Sequence, residues 1–525
     1  MDPWTFEPLE ALNPRTLKRS LAIFTLLAAA TLAGGGAELT LVDAVKAGNR
    51  AAVTAFLKTP ASKTAVNVPE ADGTTALHWA VRGDDLEIAR ILVAAGANPN
   101  AANRYGLTPL SIAASNANGA MVGLLLEAGG DAKATIRQGE TLLMAAARAG
   151  NPDAVRLLLE RGADANAREQ TLGETPLMWA AAENHPEAIR HLVAHGAEVN
   201  ARSSDVKWAQ DRFGLEGVLT ILPHGRWTAL MYAARQGSLD AARELVDAHA
   251  TLNLVDPDGT TALVVAIING HYDVAAMLAE KGADVNIADA AGMAALYAAV
   301  DMNTLGEVYG RPARKSTSQV SALELMKVLI AHGADPNAQL KSNTLQRAHT
   351  PGEPLLGAMT TPLMRAAKNG DFAAIQLLLD HGADPALAQK NRTTPLMFAA
   401  GLGRGTGVFT KDIGTERDML QGVKLLVERG VDINAFNDNG QTAMHFAAQV
   451  SDDIVRYLAA HGAKLDPHDK QGRTPIDLAL GIGVRGRAGG PAPVRQATAA
   501  LLRQLITESG GVPPGPPTAA PSLQQ

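Results

Sequence analysis

Few residue patterns in this 525-residue chain have the types and spacing that catalysis or cofactor binding needs. Residues 481–486 (GIGVRG) match the glycine spacing of a dinucleotide-binding loop, but they follow the helical stretch 475–480 instead of a strand. Residues 284–286 and 432–434 resemble the start of a calcium loop, yet the later ligands are missing. Short Asp and Asn side chains of this kind are typical of turns. We therefore predict no catalytic residue, no cofactor and no nucleotide or calcium site.

Cysteine and histidine give little support for metal or nucleophile chemistry. The absence of cysteine excludes disulfides, Cys-ligated zinc, iron–sulfur clusters and thiol nucleophiles. The 13 histidines include no HExxH motif, and no Ser–His–Asp set is recognisable. Four histidines share one repeat position beside a glycine, where an imidazole can interact with a helix C-terminus: His195, His332, His381 and His461. Only His332 and His381 fall in adjacent units, as a metal pair would require, so a scaffold role is the favoured interpretation.

Composition describes a globular chain without a basic surplus. Hydrophobic residues make up 46% and charged residues 19%, which is enough apolar material for a sizeable core. Lys and Arg number 47 against 53 Asp and Glu, a net charge of −6 that gives no support for a nucleic-acid binder. Length alone would suggest three or four domains.

One pattern recurs along most of the chain and changes that domain count. It is Thr, then a small residue or Pro, an aliphatic residue, two further residues and Ala. Its first positions are Thr75, Thr108, Thr141, Thr175, Thr228, Thr261, Ala294, Thr361, Thr394, Thr442 and Thr474. Seven of the ten spacings are 32 to 34 residues, and the three long ones, of 53, 67 and 48 residues, mark insertions.

Each copy reads as two short helices. In residues 72–103 the Asp72-Gly73 pair predicts a turn, and Thr75 is placed to cap a helix that ends near Gly83. A second helix follows over about 86–95, and Gly96 supplies a left-handed end. Two such helices cannot bury both of their apolar faces alone, so neighbouring units must stack.

These residues resemble the ankyrin repeat family. Its T-P-L-H-x-A signature appears at 75–80 (TALHWA), 108–113 (TPLSIA) and 175–180 (TPLMWA), and its G-A-D-x-N-A ending at 162–167, 282–287 and 333–338. The resemblance implies an all-α ankyrin-repeat solenoid of about twelve helix-turn-helix units with β-hairpin fingers over residues 38–506. It also implies that residues 39–67 form a degenerate first unit, and that fingers and inner helices form a concave surface for protein partners.

Departures from the family pattern are as informative as the matches. The signature histidine survives as His78 and His445, where the resemblance implies a hydrogen bond between adjacent hairpins, and Met replaces it in five units. His249 stands where other units have their capping glycine, so a left-handed backbone there would be strained unless the turn is rebuilt.

The insertions are where specific function is expected. They cover residues 203–225, 303–320, 341–358, 402–418 and 483–495. The first should be an enlarged finger carrying Trp208 and Phe213, followed by Arg226 and by Trp227 at a hairpin position that the family usually exposes. We predict that these four residues bind a partner. A small satellite core that holds the insertion in place is the alternative.

Three of the insertions fall between paired helices. The resemblance implies that they lie on the edge opposite the fingers, where their charges suggest a basic edge. Its residues are Arg311, Arg314, Lys315, Arg485, Arg487 and Arg495. The alternative is a set of solvated loop charges without a partner.

The two ends of the chain differ from the repeat array. Basic residues at 15, 18 and 19 precede the apolar run 21–33 and three glycines, the order of a secretory signal peptide over residues 1–37. Thirteen helical residues span about 20 Å, short of the roughly 30 Å of bilayer hydrocarbon. A core helix or an uncleaved membrane anchor is the alternative. Residues 507–525 are rich in Pro and Gly and are predicted to be a disordered tail.

Together these features predict an exported, non-enzymatic scaffold for protein–protein interaction, periplasmic or secreted. No nucleic-acid partner and no stable membrane span after signal cleavage are expected. Two alternatives remain open: binding of an anionic envelope or extracellular polymer along the basic edge, and a role as regulatory subunit of an exported enzyme, or as an enzyme with chemistry in the inserted loops.

Overall fold

Twelve pairs of helices follow one another in the described part of the chain. A computed structural model describes residues 40–58, 65–207, 212–215, 218–221, 224–304, 318–345, 355–404, 414–483 and 493–513. The helices are α1 Leu41–Lys46, α2 Arg50–Leu57, α3 Ala76–Arg82, α4 Leu86–Ala94, α5 Pro109–Ser115, α6 Gly119–Glu127, α7 Leu142–Ala149, α8 Pro152–Glu160, α9 Pro176–Ala182, α10 Pro186–Ala194, α11 Ala229–Gln236, α12 Leu239–Asp247, α13 Ala262–Ile268, α14 Tyr272–Glu280, α15 Ala295–Asn303, α16 Ala322–Ala331, α17 Pro362–Asn369, α18 Phe372–Asp380, α19 Pro395–Ala399, α20 Glu416–Glu428, α21 Ala443–Ala447, α22 Asp452–Ala460, α23 Pro475–Ala479 and α24 Gln496–Glu508. Each unit has an odd-numbered first helix and an even-numbered second helix, which confirms the predicted helical solenoid.

The first insertion contains two strands, β1 Arg212–Leu215 and β2 Val218–Ile221. They are antiparallel, with Arg212 opposite Ile221 and Leu215 opposite Val218. The enlarged finger expected at 203–225 is therefore a β-hairpin at its centre.

The signature threonine begins the first helices. Thr108 has extended backbone angles, and its hydroxyl oxygen accepts a hydrogen bond from the Ser111 amide at 3.1 Å. Pro109 takes the first helical position, where no intrahelical N–H partner is needed. Second helices commonly end in a left-handed glycine such as Gly96, with φ of +92°. His249 replaces that glycine and keeps the left-handed conformation, at φ +63°.

Stacking buries one continuous apolar core. Consecutive first helices contact one another, and consecutive second helices do the same. The alanine that ends each signature, for example Ala113 and Ala146, is fully buried and lets neighbouring first helices approach closely.

The two signature histidines link neighbouring hairpins as the resemblance implied. The Nδ1 atom of His78 accepts the Thr75 amide at 3.1 Å, and its Nε2–H donates to the Leu107 carbonyl of the next hairpin at 3.0 Å. His445 repeats the arrangement. Burial lowers the pKa of both imidazoles, because the charged form would be desolvated.

An asparagine near the end of several units joins each unit to the next. The Nδ2–H of Asn100 donates to the Gly129 carbonyl at 2.8 Å, and its Oδ1 accepts the Asp131 amide at 2.8 Å. Asn286 makes the same pair of bonds although its partners lie 47 and 49 residues away. We call these contacts the asparagine staple.

Candidate functional site

The first helices present a partly open surface in the N-terminal half of the described array. In each unit, the fifth residue of the signature and the residue three positions later lie on one surface, which we call the first-helix face. In units 2 to 6 this face has half-buried side chains at Trp79, Ile112, Trp179 and Tyr232. Exposed side chains follow one turn later at Arg82, Ser115 and Arg148.

The same face is closed in units 7 to 9. Every residue of α13 and of α17 is buried, and the fifth signature residue of unit 9, Arg365, is 1% exposed. Residues at the ends of two insertions cover α17. Gly403 lies against Leu355 and Lys368 so closely that an added Cβ would be 2.3 Å from the Leu355 Cδ1 atom. The Gly414 amide donates to the Asn369 carbonyl at 3.0 Å.

Trp79 is held between a carboxylate and two cations on the open face. Its Nε1–H donates to Oε2 of Glu70, a hairpin residue, at 2.6 Å. The Lys46 ammonium lies 4.4 Å from the ring centroid and also pairs with Glu70 at 2.6 Å. The Arg82 guanidinium lies 5.4 Å from the same ring. These contacts fix the indole while leaving part of it accessible.

Trp179 repeats the arrangement three units later. Its Nε1–H donates to Oε2 of Glu174 at 2.8 Å, and the Arg148 guanidinium of the preceding unit lies 4.7 Å from its ring. Arg148 also pairs with Glu140 at 3.4 Å. Burial raises the pKa values of Glu140 and Glu174. Hairpin carboxylates and first-helix side chains therefore meet on one surface.

Trp227 does not have the exposed position that the sequence predicted. Its side chain is 9% exposed, and its Nε1–H donates to Asp256 at 3.3 Å. The ring packs edge-on against Tyr232 with centroids 5.5 Å apart, and Arg235 lies 5.7 Å from it. The prediction of an exposed aromatic at 227 is wrong, because the ring fills space between units 6 and 7. The satellite-core alternative describes this residue better.

The other residues of the predicted partner-binding set are only partly described. Arg226 is exposed, with a left-handed φ of +55°, and its amide donates to the Ser204 carbonyl at 3.0 Å. Trp208 and the side chain of Phe213 lie outside the described residues.

The predicted basic edge also lies mostly outside the described residues, with Arg495 as the exception. The Arg495 Nε–H donates to the Thr498 hydroxyl at 3.0 Å, and its Nη2 lies 3.5 Å from an Asp452 oxygen. The residues not described are Arg311, Arg314, Lys315, Arg485 and Arg487.

A buried polar cluster beneath the closed part of the face was not anticipated. The Arg365 Nε–H donates to the Asp301 carboxylate, and its Nη1–H donates to the Asn369 Oδ1 atom at 2.6 Å. The Asn369 Nδ2–H donates to the Thr304 hydroxyl. The sequence does contain a feature that could have revealed this cluster. The fifth signature position is charged in this unit, whereas it is apolar or aromatic in the other units.

The four histidines of the repeat position act at helix ends. The Nδ1 atoms of His195, His332, His381 and His461 each lie 2.8 or 2.9 Å from the carbonyl oxygen four residues earlier. In the described ranges, no group of three or more His, Asp or Glu side chains is arranged to hold a metal ion. Within the same ranges, no helix has both the length and the apolar character needed to cross a membrane.

Trp79 and Trp179 were missed as functional candidates. The available signal was a tryptophan at the fifth signature position together with a glutamate in the preceding hairpin. Neither feature distinguishes a binding surface from packing until the openness of the face is known.

Comparisons with known proteins agree with this architecture. A family model described as ankyrin repeats (3 copies) matches residues 41–136, 117–203, 212–289, 315–408 and 414–483. The chain is 29% identical over 178 residues to the transient receptor potential cation channel subfamily A member 1 homolog of Caenorhabditis elegans, covering 30% of this chain and 13% of that protein. It is 27% identical over 162 residues to the E3 ubiquitin-protein ligase KEG of Arabidopsis thaliana, covering 30% and 8%.

A third relative is the putative E3 ubiquitin-protein ligase XBAT31 of Arabidopsis thaliana, 31% identical over 147 residues, covering 24% of this chain and 29% of that protein. The chain therefore spans less than a third of each of these relatives. The family model, in contrast, matches well over half of the chain. Because the matched ranges coincide with the paired helices and their hairpins, the chain belongs to the ankyrin repeat family.

Proposed function

We propose that this chain is a non-enzymatic scaffold that binds protein partners on the open first-helix face of units 2 to 6. Ankyrin repeats support protein–protein interaction, since each repeat offers exposed positions on a rigid stack. The observation that carries the proposal is the difference between the two halves of the face. Accessible tryptophans and arginines occur in units 2 to 6, whereas α13 and α17 are buried along their whole length.

The proposed anchors are Trp79 and Trp179. A tryptophan that is already fixed by a carboxylate and a cation loses little freedom on binding, so more of its contact energy contributes to affinity. Trp208, Phe213 and Arg226 remain proposed contacts on the neighbouring finger. Trp227 is assigned to holding that finger against unit 7.

Affinity capture with substituted scaffolds tests the proposal. The double variant Trp79→Ala/Trp179→Ala should lose partners that the unaltered chain captures. Phe436→Ala is the matched control, because Phe436 is 52% exposed and also has an arginine, Arg392, 4.6 Å from its ring, but lies outside units 2 to 6. Equal partner recovery with the tryptophan variant and the control would show that the open face is not the binding surface.

Export is the second part of the proposal, supported by the signal-peptide order of residues 1–37. N-terminal sequencing of the protein from an exported fraction should start near residue 36 to 38. A mature protein that begins at Met1 would contradict the cleavage prediction. The names of the relatives describe a cation channel and ubiquitin ligases, and neither activity is proposed for this chain.

A further inference from the structure

Charge is divided unequally between the two sides of units 2 to 6. The second-helix segments 83–100, 116–133, 150–166, 183–200 and 237–255 contain fourteen Asp or Glu and six Lys or Arg. The hairpin and first-helix segments contain nine Lys or Arg and six Asp or Glu over 67–82, 101–115, 134–149, 167–182, 201–207 and 224–236. One side thus carries a formal charge of −8 and the other +3, within a chain of net charge −6.

The carboxylates on the positive side are largely engaged within the protein. Glu70 accepts from Trp79 and pairs with Lys46, and Glu174 accepts from Trp179. A third carboxylate, Glu169, is buried and accepts three backbone amides of its own hairpin.

The cations of the same side are more accessible. Arg82 is exposed and forms no ion pair with the described residues. The Arg148 side chain is 46% exposed against 22% for its partner Glu140. A ligand that approaches this side therefore meets guanidinium groups and indole edges before it meets carboxylates.

We propose that the open first-helix face binds an extended acidic segment of a partner protein, with aliphatic side chains between its carboxylates. This inference rests on the proposed function and specifies the partner. The exposed arginines would pair with carboxylates, and the fixed rings of Trp79 and Trp179 would receive the aliphatic groups. A polyanion without aliphatic groups would pair with the arginines but would not fill the contacts offered by the two tryptophan rings.

Repeat geometry gives the spacing of that segment. Neighbouring packed helices lie about 8–10 Å apart. An extended chain in the polyproline II conformation advances about 3.1 Å per residue and returns to the same face every three residues, so about three ligand residues pass each unit. Carboxylates at every third position would therefore meet successive units, and about 15 residues would pass the five units of the face, so an 18-residue peptide spans it with one repeat to spare.

Two synthetic peptides test this directly: an 18-residue repeat of Glu-Ser-Leu and its charge-reversed counterpart, a repeat of Lys-Ser-Leu. Fluorescence anisotropy of labelled peptides, titrated with the full chain, measures affinity. The glutamate peptide should bind at least about tenfold more tightly than the lysine peptide. Its binding should weaken between about 0.05 M and about 0.5 M salt, because screening reduces the attraction between exposed charges.

Matched charge reversals locate the binding surface. Arg82→Glu/Arg148→Glu should weaken binding of the glutamate peptide about tenfold or more. Arg90→Glu/Arg243→Glu changes the net charge by the same amount but alters exposed residues of second helices, so it should have little effect. Circular dichroism establishes that both variants are folded. Arg82→Gln/Arg148→Gln, a milder change, should give an intermediate loss.

Three results would overturn the inference. The first is equal binding of the two peptides. The second is equal weakening by the two charge-reversed variants. The third is binding of an 18-nucleotide single-stranded DNA as tight as that of the glutamate peptide, which would show selection for negative charge alone. If tryptophan-dependent partner capture persists while neither peptide binds, the proposed function stands and only the acidic-segment inference fails.

Discussion

The buried ion pair between Asp301 and Arg365 offers a quantitative test of how the closed half of the array is held together. The Arg365 side chain is 2% exposed and that of Asp301 is 12% exposed. Removing one partner of such a pair leaves a desolvated charge, at a cost of about 3–5 kcal/mol. Arg365 keeps its bond to Asn369, so the loss for the Asp301 variant should lie near the lower end of that range.

The substitutions are taken from the array itself. Ile268 occupies the position of Asp301 in unit 7, and Leu478 occupies the position of Arg365 in unit 12. We expect Asp301→Ile and Arg365→Leu each to destabilise the protein by about 3 kcal/mol or more. The double variant should be less destabilised than either single variant, since it leaves no unpaired charge, which makes the coupling energy about 3 kcal/mol or more.

Stacked repeats can open in parts, so global unfolding alone is not a sufficient assay. Urea titration followed by circular dichroism should be combined with amide hydrogen exchange of α15 and α17. Exchange should accelerate there in each single variant and recover in the double variant. Additive losses in the double variant, or single losses below about 1 kcal/mol, would refute this account of the pair.

Three further predictions concern pH and packing. Burial depresses the pKa values of His78 and His445, so the stability that they contribute is complete above about pH 6.5 and is lost as the pH falls towards their folded-state values. The dependence of unfolding free energy on pH can reach about 1.4 kcal/mol per pH unit for each histidine. The variant His78→Met/His445→Met should reduce this dependence. An unchanged pH dependence in urea titrations would contradict the assignment. Burial raises the pKa of Tyr272 to about 12, so stability should fall as the pH rises above about 10, and less so in Tyr272→Phe; equal alkaline losses would refute the attribution. Gly150→Ala should destabilise the protein by at least about 1 kcal/mol, because Gly150 has φ of +79° and an added Cβ would lie 2.2 Å from the ring of His185. An unchanged melting temperature would show that the ring moves aside without cost.

The repeat pattern predicted most of the fold because each unit repeats its own local signals. Thr108 and Pro109 start a helix and Gly96 ends one through interactions within a few residues, so sequence alone locates them. The same alignment placed His249 at a capping-glycine position, and the structure decides between the two possibilities there in favour of a left-handed backbone.

The candidate site was harder to predict because exposure depends on segments far apart in the chain. Trp79 and Trp227 look equally suited to binding in the sequence. Trp227 is buried by contacts with unit 7, whereas Trp79 stays accessible. The closure of α17 depends on Leu355 and Gly403, which lie before and after it, and no local pattern reports that contact.

The asparagine staple has a consequence for how this chain can change over evolutionary time. Asn100 reaches a carbonyl 29 residues ahead, while Asn200 accepts from the Thr251 amide 51 residues ahead, past the entire first insertion. The hydrogen bond between two units therefore forms whatever the length of the chain segment inserted between them. Insertions can lengthen, shorten or be replaced while the stacking of neighbouring helix pairs stays the same. Selection can then vary the inserted loops without destabilising the stacked helices.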